Sequence, residues 1–172
     1  MRTELYWIPG PWSGRLAIMP RPRGGDWLED EIRAWGAAGV ETVVSALEND
    51  EITELDLVEE AALCNTNGIE FKNFPIQDRG IPSSLGAVAE LLRGLEKKLA
   101  QGNTVAIHCR QGIGRASLLA AGLLVLSGTS VADAFQRIES ARGRAVPDTV
   151  EQQQWVASFA KACLPMASRT ED

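Results

Sequence analysis

The segment from Thr104 to Leu126 constrains the fold of this chain most strongly. It begins with the β-branched and apolar run 104–107, which is typical of a strand buried on both faces of a parallel sheet. It ends with the apolar run 118–126, which predicts a buried helix. The connection between them contains two glycines, in the sequence His108-Cys109-Arg110-Gln111-Gly112-Ile113-Gly114-Arg115. A buried strand that passes through a short loop into a buried helix is a building unit of α/β folds.

Short apolar runs alternate with helical patterns along the rest of the chain. We predict an opening hairpin from strands at 5–8 and 16–19, a helix capped by Asp26 and ended by Gly39, a strand at 40–47, a helix at 55–65, a strand at 69–76, a helix at 83–100, a strand at 104–109 and three C-terminal helices. This alternation predicts an α/β fold with a mostly parallel central sheet flanked by helices. Because 172 residues are too few for two ordinary domains, we expect one domain over 1–172, with a frayed tail at 168–172.

The loop after the buried strand has the composition of an anion site. Gly112 and Gly114 allow the backbone to curl so that successive N–H groups point inward at the start of a helix. Arg115 can place a planar guanidinium against two oxygens of a phosphate. The same N–H groups and helix end favour a thiolate at Cys109, and a thiolate is a nucleophile. We therefore expect this loop to bind phosphate and to attack it.

The sequence from His108 to Arg115 resembles the signature loop of the cysteine-dependent protein tyrosine and dual-specificity phosphatases. More narrowly, the chain is similar to the small kinase-associated phosphatases and their bacterial relatives. The resemblance implies a phosphatase-like α/β fold, Cys109 as nucleophile and Arg115 as a catalytic cation, with residues 110–115 binding the phosphate. It assigns His108 a supporting role beside the thiolate. It further implies a phosphocysteine intermediate, no cofactor or metal, and a phosphorylated protein or a small phosphomonoester as substrate.

Asp78 is the candidate proton donor to the leaving oxygen. Esters of alcohols leave poorly unless that oxygen is protonated, and a carboxyl group on a loop over the pocket can supply the proton. Asp78 follows the apolar run 69–76, at a strand end where ligands of α/β sheets bind. The phosphatase family carries an aspartate on a similar loop. Turn chemistry alone also explains an Asp-Arg-Gly sequence.

Ala116 is a departure from the family pattern, which places Ser or Thr directly after the arginine. In the family that hydroxyl eases departure of the cysteine thiolate when the phosphoenzyme is hydrolysed. Ser117 comes one residue later, which turns its side chain by about 100° around a helix. We therefore hypothesise that hydrolysis of the phosphoenzyme is slow relative to its formation.

Gln152 is a weaker candidate near the start of the last helix. Tyrosine phosphatases have a Gln-Thr-x-x-Gln segment whose final glutamine orients the attacking water, and the sequence from Asp148 to Gln152 resembles it with Asp in first place. Either Asp148 or Thr149 could cap this helix. Solvated glutamines on an exposed helix face are the alternative explanation of the run Gln152 to Gln154.

Charge and cysteine content limit the partners and the compartment. The net charge of −6 argues against nucleic-acid and anionic-membrane surfaces, although five arginines could form a local positive site: Arg21, Arg23, Arg79, Arg110 and Arg115. Three dispersed cysteines suit neither a disulfide scaffold nor a zinc site. A reactive thiolate needs a reducing compartment, so we expect a cytoplasmic protein, and we expect a monomer. The apolar run 118–126 is too short to cross a bilayer.

Three alternatives to a phosphatase remain open from the sequence. Ala116 is compatible with a module that binds phosphorylated partners with little turnover. A rhodanese-type sulfur-transfer domain also places a cysteine at a helix start, although Arg115 and Asp78 argue against it. A thiol redox activity such as arsenate reduction would need a resolving cysteine, and neither Cys64 nor Cys163 is adjacent to Cys109 in sequence. For Cys64 we favour a buried core position over a resolving thiol.

Overall fold

Within residues 4–163, the part of the chain that this computed structural model describes, five strands form one mixed sheet in the order β1-β2-β5-β3-β4. The strands are β1 (Tyr6–Ile8), β2 (Leu16–Met19), β3 (Thr42–Ser45), β4 (Glu70–Asn73) and β5 (Val105–His108). β1 pairs antiparallel with β2, whereas the other pairs are parallel. β5 lies at the centre, with Val105 opposite Leu16 of β2 and Thr42 of β3. The predicted α/β class and mostly parallel sheet are confirmed.

Helices cover both faces of the sheet. They are α1 (Leu28–Ala37), α2 (Asn49–Glu54), α3 (Glu60–Thr66), α4 (Leu85–Ala100), α5 (Arg115–Leu126), α6 (Val131–Arg142) and α7 (Val150–Cys163). Val105 and Ile107 of β5 pack with α4 to α7, while Ala106 between them packs with α1 and α3. This alternation follows from the two-residue period of a strand. α5 is buried along almost its whole length, as its apolar sequence predicts.

The helix predicted at 55–65 is only partly correct: α3 occupies its second half, residues 55–59 form a turn, and α2 precedes them in a segment for which no helix was predicted. α2 begins with a capping box in which the side chains of Glu48 and Glu51 accept from each other's backbone N–H groups. The chain then turns at Asp56, whose φ of 55° is left-handed, and buries Leu57 before α3 begins. Burial of Leu57 and the two separate helix starts override the helical periodicity.

Other boundaries also differ from the prediction. Asp26 does not cap α1: it lies in a 3-10 turn over Gly25–Trp27, and Trp27 occupies the cap position without a side-chain bond. β3 and β4 are shorter than the runs 40–47 and 69–76, although Ile76 N still donates to Ala46 O at 3.0 Å beyond the ends of both strands. Ser84 caps α4 by accepting from Ala87 N. The tail predicted at 168–172 lies outside the described residues.

None of the helices within residues 4–163 combines the length and the apolar character that crossing a membrane requires.

Candidate active site

The loop between β5 and α5 is held tightly against the end of β2. Gly112 has a φ of +68°, and a Cβ there would lie 2.6 Å from the carbonyl carbon of Met19 and 2.7 Å from Pro20 N. Only glycine fits such a position. Arg21 N also donates to Arg110 O at 3.2 Å. The curvature of the loop is therefore fixed by the neighbouring strand.

A cavity of about 210 Å³ opens above this loop. Its lining residues come from three parts of the chain and are Asp78, Arg79, Cys109, Arg110, Gln111, Gly114, Arg115 and Asp148. The structure thus brings Cys109, Arg115 and Asp78 to one cavity. Of the other loop residues, Gly112 and Ile113 are buried and do not line it.

Glu51 of α2 fixes the orientation of the Arg115 guanidinium. The two carboxylate oxygens of Glu51 accept from Nη1 and Nη2 of Arg115 at 2.7 and 2.9 Å, and Nη1 also donates to Ile76 O at 2.9 Å. Both side chains are buried. A two-point pair between a planar guanidinium and a carboxylate is strong and geometrically specific. Sequence reasoning missed Glu51, whose only local signal is the spacing of the Glu48–Glu51 capping box.

The environment of Glu51 keeps its carboxyl group ionised. Burial by itself would raise the pKa of Glu51, but the hydrogen bonds and the charge of Arg115 hold that pKa below its ordinary value. The Glu48 N–H lowers it further by donating to Glu51 Oε2 at 2.9 Å. Arg115 therefore has a permanent anionic partner behind the cavity.

Asp78 also contacts the guanidinium of Arg115. Its Oδ1 accepts from Arg115 Nη2 at 3.2 Å, yet its side chain remains 56% exposed. The next residue, Arg79, has a left-handed φ of 59° and also lines the cavity. Asp78 thus lies at the mouth of the cavity, where it can contact a ligand.

The amide of Gln152 connects two loops at the cavity edge. Its Nε2 donates to Gly80 O at 3.0 Å, and its Oε1 accepts from Asp148 N at 3.0 Å and from Thr149 N at 3.3 Å. The side chain is fully buried, so it does not belong to an exposed glutamine face. Thr149 Oγ1 accepts from Gln152 N, which makes Thr149 the cap of α7. Gln152 therefore fixes the loop of Asp78 relative to Asp148.

His108 lies behind the loop, away from the cavity. Its Nε2 is 2.6 Å from Glu60 Oε1, and its Nδ1 is 3.2 Å from Cys109 O. When the ring carries both protons, each ring nitrogen donates to one of these acceptors. Both side chains are buried. Glu60 is a second partner that sequence reasoning missed, because 48 residues separate it from His108.

Arg142, at the end of α6, supports the loop from the outside. Its Nε donates to Gly112 O and its Nη2 to Gln111 O, both at 3.1 Å, and its guanidinium lies 4.2 Å from the centre of the Tyr6 ring. Nothing in the local sequence distinguishes Arg142 from other surface arginines. Its guanidinium therefore ties the end of α6 to two carbonyl groups of the loop.

Ala116, Ser117 and Cys64 face the interior. Ala116 is fully buried, and Ser117 Oγ is buried without a hydrogen-bond partner among the described residues. Neither lines the cavity of Cys109. Cys64 packs with α1 on the opposite face of the sheet from Cys109, and burial together with Glu60 raises its pKa to about 12. The core position predicted for Cys64 is confirmed.

This arrangement suits transfer of a group from a phosphate ester to sulfur. It places a thiol at the floor of a small cavity, a fixed guanidinium beside it, and a carboxyl group at the mouth. Nη1 of Arg115 is committed to Glu51 and to a carbonyl, and one hydrogen of Nη2 is committed to Glu51. Its Nε–H and the Nη2 hydrogen shared with Asp78 are left for two oxygens of an anion.

A family model described as "Polymorphic toxin system, DSP-PTPase phosphatase" matches residues 17–129. The rat protein cyclin-dependent kinase inhibitor 3 is 26% identical over 125 residues, covering 72% of this chain and 58% of the relative. The protein tyrosine phosphatase PRL-1 of Leishmania major is 30% identical over 109 residues, covering 58% of this chain and 61% of the relative. The chain thus spans about three fifths of the length of the curated relatives it matches.

Solved structures resemble the chain over most of its length. Kinase associated phosphatase, with serine in place of its catalytic-site cysteine, superimposes with a TM-score of 0.87 at 20% identity, covering 95% of this chain and 97% of the other. At that identity the likeness concerns the fold alone. Tk-PTP in its active form has a TM-score of 0.75 at 27% identity, covering 91% of this chain and 96% of the other.

Proposed function

Because this chain belongs to the DSP-PTPase phosphatase family of polymorphic toxin systems, we propose that it hydrolyses phosphomonoesters of proteins through a phosphocysteine intermediate. One observation carries the proposal: Cys109, a guanidinium fixed by Glu51, and Asp78 meet at a single cavity of about 210 Å³. Residues 1–172 act as a single phosphatase domain in this proposal.

The first step transfers the phosphoryl group to sulfur. The Cys109 thiolate attacks phosphorus in line with the departing oxygen, and Asp78 protonates that oxygen as the P–O bond breaks. Arg115 and the backbone N–H groups of the loop residues that line the cavity stabilise the equatorial oxygens. The products are the free alcohol and a phosphocysteine.

The second step returns the enzyme to its starting state. A water molecule attacks the phosphocysteine, and Asp78, now a carboxylate, takes up its proton. The P–S bond breaks, inorganic phosphate leaves, and the Cys109 thiolate and protonated Asp78 are regenerated. Gln152 supports this step by holding the loop of Asp78 through Gly80, which places the base over the cavity.

Bound phosphate competes with Asp78 for Arg115. The substrate takes the Nη2 hydrogen that Asp78 accepts in the free protein, while Glu51 keeps its own two bonds. Asp78 is thereby released toward the leaving oxygen. The Glu51 pair supplies the positioning that keeps the guanidinium in place during this exchange.

Ala116 sets the relative speed of the two steps. A hydroxyl at this position would stabilise the thiolate as it departs, whereas a methyl group cannot. The Ser117 side chain is turned by about 100° around α5 from position 116, so it does not compensate. The phosphocysteine is therefore formed faster than it is hydrolysed, and Ala116→Ser should raise the steady-state rate while reducing the initial burst of released alcohol.

The proposal extends to the setting of the enzyme. It acts as a monomer in the cytoplasm, on a phosphorylated protein or a small phosphomonoester, without nucleic-acid or membrane partners. The net charge of −6 supports an acidic body that avoids such polyanions. The thiol chemistry of Cys109 requires a reducing compartment.

Release of nitrophenol from p-nitrophenyl phosphate tests the proposed function. We expect Cys109-dependent turnover in the presence of a chelator, with a burst of one equivalent followed by a slower steady state, and no release by Cys109→Ser. Turnover without a burst would contradict the slow second step. Absence of release from the natural chain, with phosphate still bound, would favour the phosphate-binding module over the phosphatase.

A further inference from the structure

A second, larger cavity adjoins the active site. Its volume is about 620 Å³, and it shares Arg110 and Gln111 with the first cavity. Its lining also includes four arginines from outside the catalytic loop, namely Arg21, Arg23, Arg142 and Arg144. We call this cavity the arginine groove. Five guanidinium groups thus line a single concave surface of a protein whose net charge is −6.

Only part of this positive charge is compensated. Arg23 pairs with the buried Glu31, and Arg110 pairs with Glu54 at 3.0 Å. Among the described residues, no carboxylate pairs with Arg21, Arg142 or Arg144; Arg21 donates to the carbonyl of Pro22, and Arg142 to two loop carbonyls. Clustered like charges repel one another, so an uncompensated cluster indicates an anionic ligand.

The groove is rigidly connected to the catalytic loop. Arg142 is held by two carbonyls of that loop and by the face of Tyr6, and Arg21 N donates to Arg110 O. A group bound by Arg142 is therefore at a fixed position relative to the catalytic loop. Preorganised guanidinium groups lose little conformational entropy when they bind carboxylate or phosphate oxygens.

We propose that the arginine groove binds acidic side chains that flank the phosphorylated residue of a protein substrate. This inference rests on the proposed phosphatase function and names the sequence context that the site selects. The anion can be a carboxylate or a second phosphate on the same peptide. Because an extended peptide advances about 3.3 Å per residue, residues within a few positions of the phosphorylated one reach the adjoining groove.

The surroundings favour a peptide over an anionic bilayer. The groove is concave, and the exposed carboxylate of Glu54 pairs with Arg110, which lines both the groove and the active site. A flat anionic membrane would meet this carboxylate and the acidic body around it, whereas a narrow acidic segment enters the groove alone. An anionic lipid surface is therefore an outcome of the test that would contradict the proposal.

Matched phosphopeptides test the proposal. Each pair carries the same central phosphotyrosine or phosphothreonine, flanked on either side by three acidic or three neutral residues, and kcat/KM is measured for the natural chain and for the double variant Arg21→Gln/Arg144→Gln. The ratio between the acidic and neutral peptides is compared within each protein, so changes in basal rate cancel. Arg93→Gln, an exposed α4 substitution that lines neither cavity, is the matched control.

We expect the natural chain and Arg93→Gln to favour one acidic peptide about tenfold at low salt, which corresponds to about 1.4 kcal/mol. The double variant should lose most of this preference, and salt should weaken it in the natural chain because it screens exposed charges. A doubly phosphorylated peptide separates phosphate from carboxylate recognition. Equal rates on acidic and neutral peptides, or a preference that survives in the double variant, would overturn the proposal.

Two further measurements separate the possible failures. Binding of the same peptides to Cys109→Ser reports on the groove even without turnover, so loss of the phosphatase function is distinguishable from loss of the acidic preference. Cosedimentation with phosphatidylserine vesicles provides the membrane control. Vesicle binding that disappears in the double variant, together with absent peptide preference, would assign the groove to lipid instead.

Discussion

Two buried carboxylates support the catalytic loop, and they differ in what lies beyond the residues that they pair with. Glu51 pairs with Arg115 on the side of the cavity, where the same guanidinium also contacts Asp78. Glu60 pairs with His108 on the other side, where both groups are buried and nothing reaches solvent. Each carboxylate comes from its own short helix, α2 or α3. The loop is thus held by Glu51–Arg115, which faces the cavity, and by Glu60–His108, which faces the core. We call them the front pair and the rear pair.

Similar buried pairs can therefore have different functions. An arginine fixed by a carboxylate keeps free donors for a ligand, so the front pair positions a reacting group. Both ring nitrogens of the histidine in the rear pair already have a partner, Glu60 or the carbonyl of Cys109. That pair therefore stabilises the strand end from which the loop begins. The front pair should therefore affect rate, and the rear pair should affect stability.

Glu51→Gln should have the largest effect on activity. It removes the charge that fixes the Arg115 guanidinium and leaves a buried cation without its anion. A small misplacement of such a group costs about 100-fold in kcat/KM, and breaking a buried pair from one side costs about 3 kcal/mol of stability. Kinetics with p-nitrophenyl phosphate and denaturant unfolding measure the two effects.

Glu54→Gln is the matched control for this prediction. It neutralises an exposed carboxylate of the same helix, which pairs with Arg110 at the rim. Exposed pairs contribute little, so its rate should remain within a few fold of the natural chain. If Glu54→Gln and Glu51→Gln reduced the rate equally, a general effect of charge would replace the positioning role of Glu51.

Glu60→Gln should reduce stability more than rate. The amide can still accept from His108 Nε2, but the charge-assisted hydrogen bond is lost, at a cost of about 2 kcal/mol. That loss lowers the melting temperature by about 6 °C in a chain of this size. Glu59→Gln, an exposed neighbour before α3, is the control. A Glu60→Gln protein of unchanged stability and strongly reduced kcat would reverse the assignment of the rear pair.

The front pair also has a defined pH dependence. The pKa of Glu51 is lower in the folded protein than its ordinary value of 4.5, so its contribution to stability is complete above that value and disappears as the pH falls through the folded pKa. The stability difference between the natural chain and Glu51→Gln should be constant between neutral pH and about pH 5 and shrink at more acidic pH. Unfolding titrations at several pH values measure it. A difference that already shrank near neutral pH would point to another titrating group.

The smallest expected effect is a difference in alkylation between Cys109 and Cys64, which lie on the two sides of the sheet. Burial and Glu60 raise the pKa of Cys64 to about 12, so Cys64 remains a thiol at pH 8. Iodoacetamide should therefore modify Cys109, which lines the cavity, and leave Cys64 unmodified in the native protein. Peptide mass mapping identifies the labelled site. Prior addition of phosphate should protect Cys109, and rapid labelling of Cys64 would show that the rear side opens to solvent.

The sequence predicted the front of the site better than its supports. Cys109, Arg115 and the two glycines lie in one loop, and Asp78 follows a recognisable strand. Their spacing and chemistry were therefore enough to predict them as site residues. Glu60 was missed because it lies inside the helix predicted at 55–65, and Glu51 because it lies in the segment 48–54, for which no element was predicted. The turn at Asp56 that separates α2 from α3 depends on burial of Leu57 against distant residues. Local periodicity does not report such a contact.

Gln152 and the arginine groove illustrate the same limit. The spacing from Asp148 to Gln152 indicated a functional glutamine, but its bond to Gly80 joins positions 72 residues apart. The prediction of a positive site included Arg21, Arg23 and Arg110, whereas Arg142 and Arg144 reach the groove only because α6 packs beside β1. The packing of α6 thus determines which arginines line the groove.

Adjacent residues are enough to predict the α/β class, the strand, loop and helix that contain Cys109 and Arg115, and the apolar core of α5, because each follows from local periodicity and chemistry. The folded chain was needed to show which carboxylates hold the loop, what Gln152 connects, and which arginines share a groove. Those contacts join segments far apart in the chain, and their partners are chosen by the packing of the whole sheet and its helices.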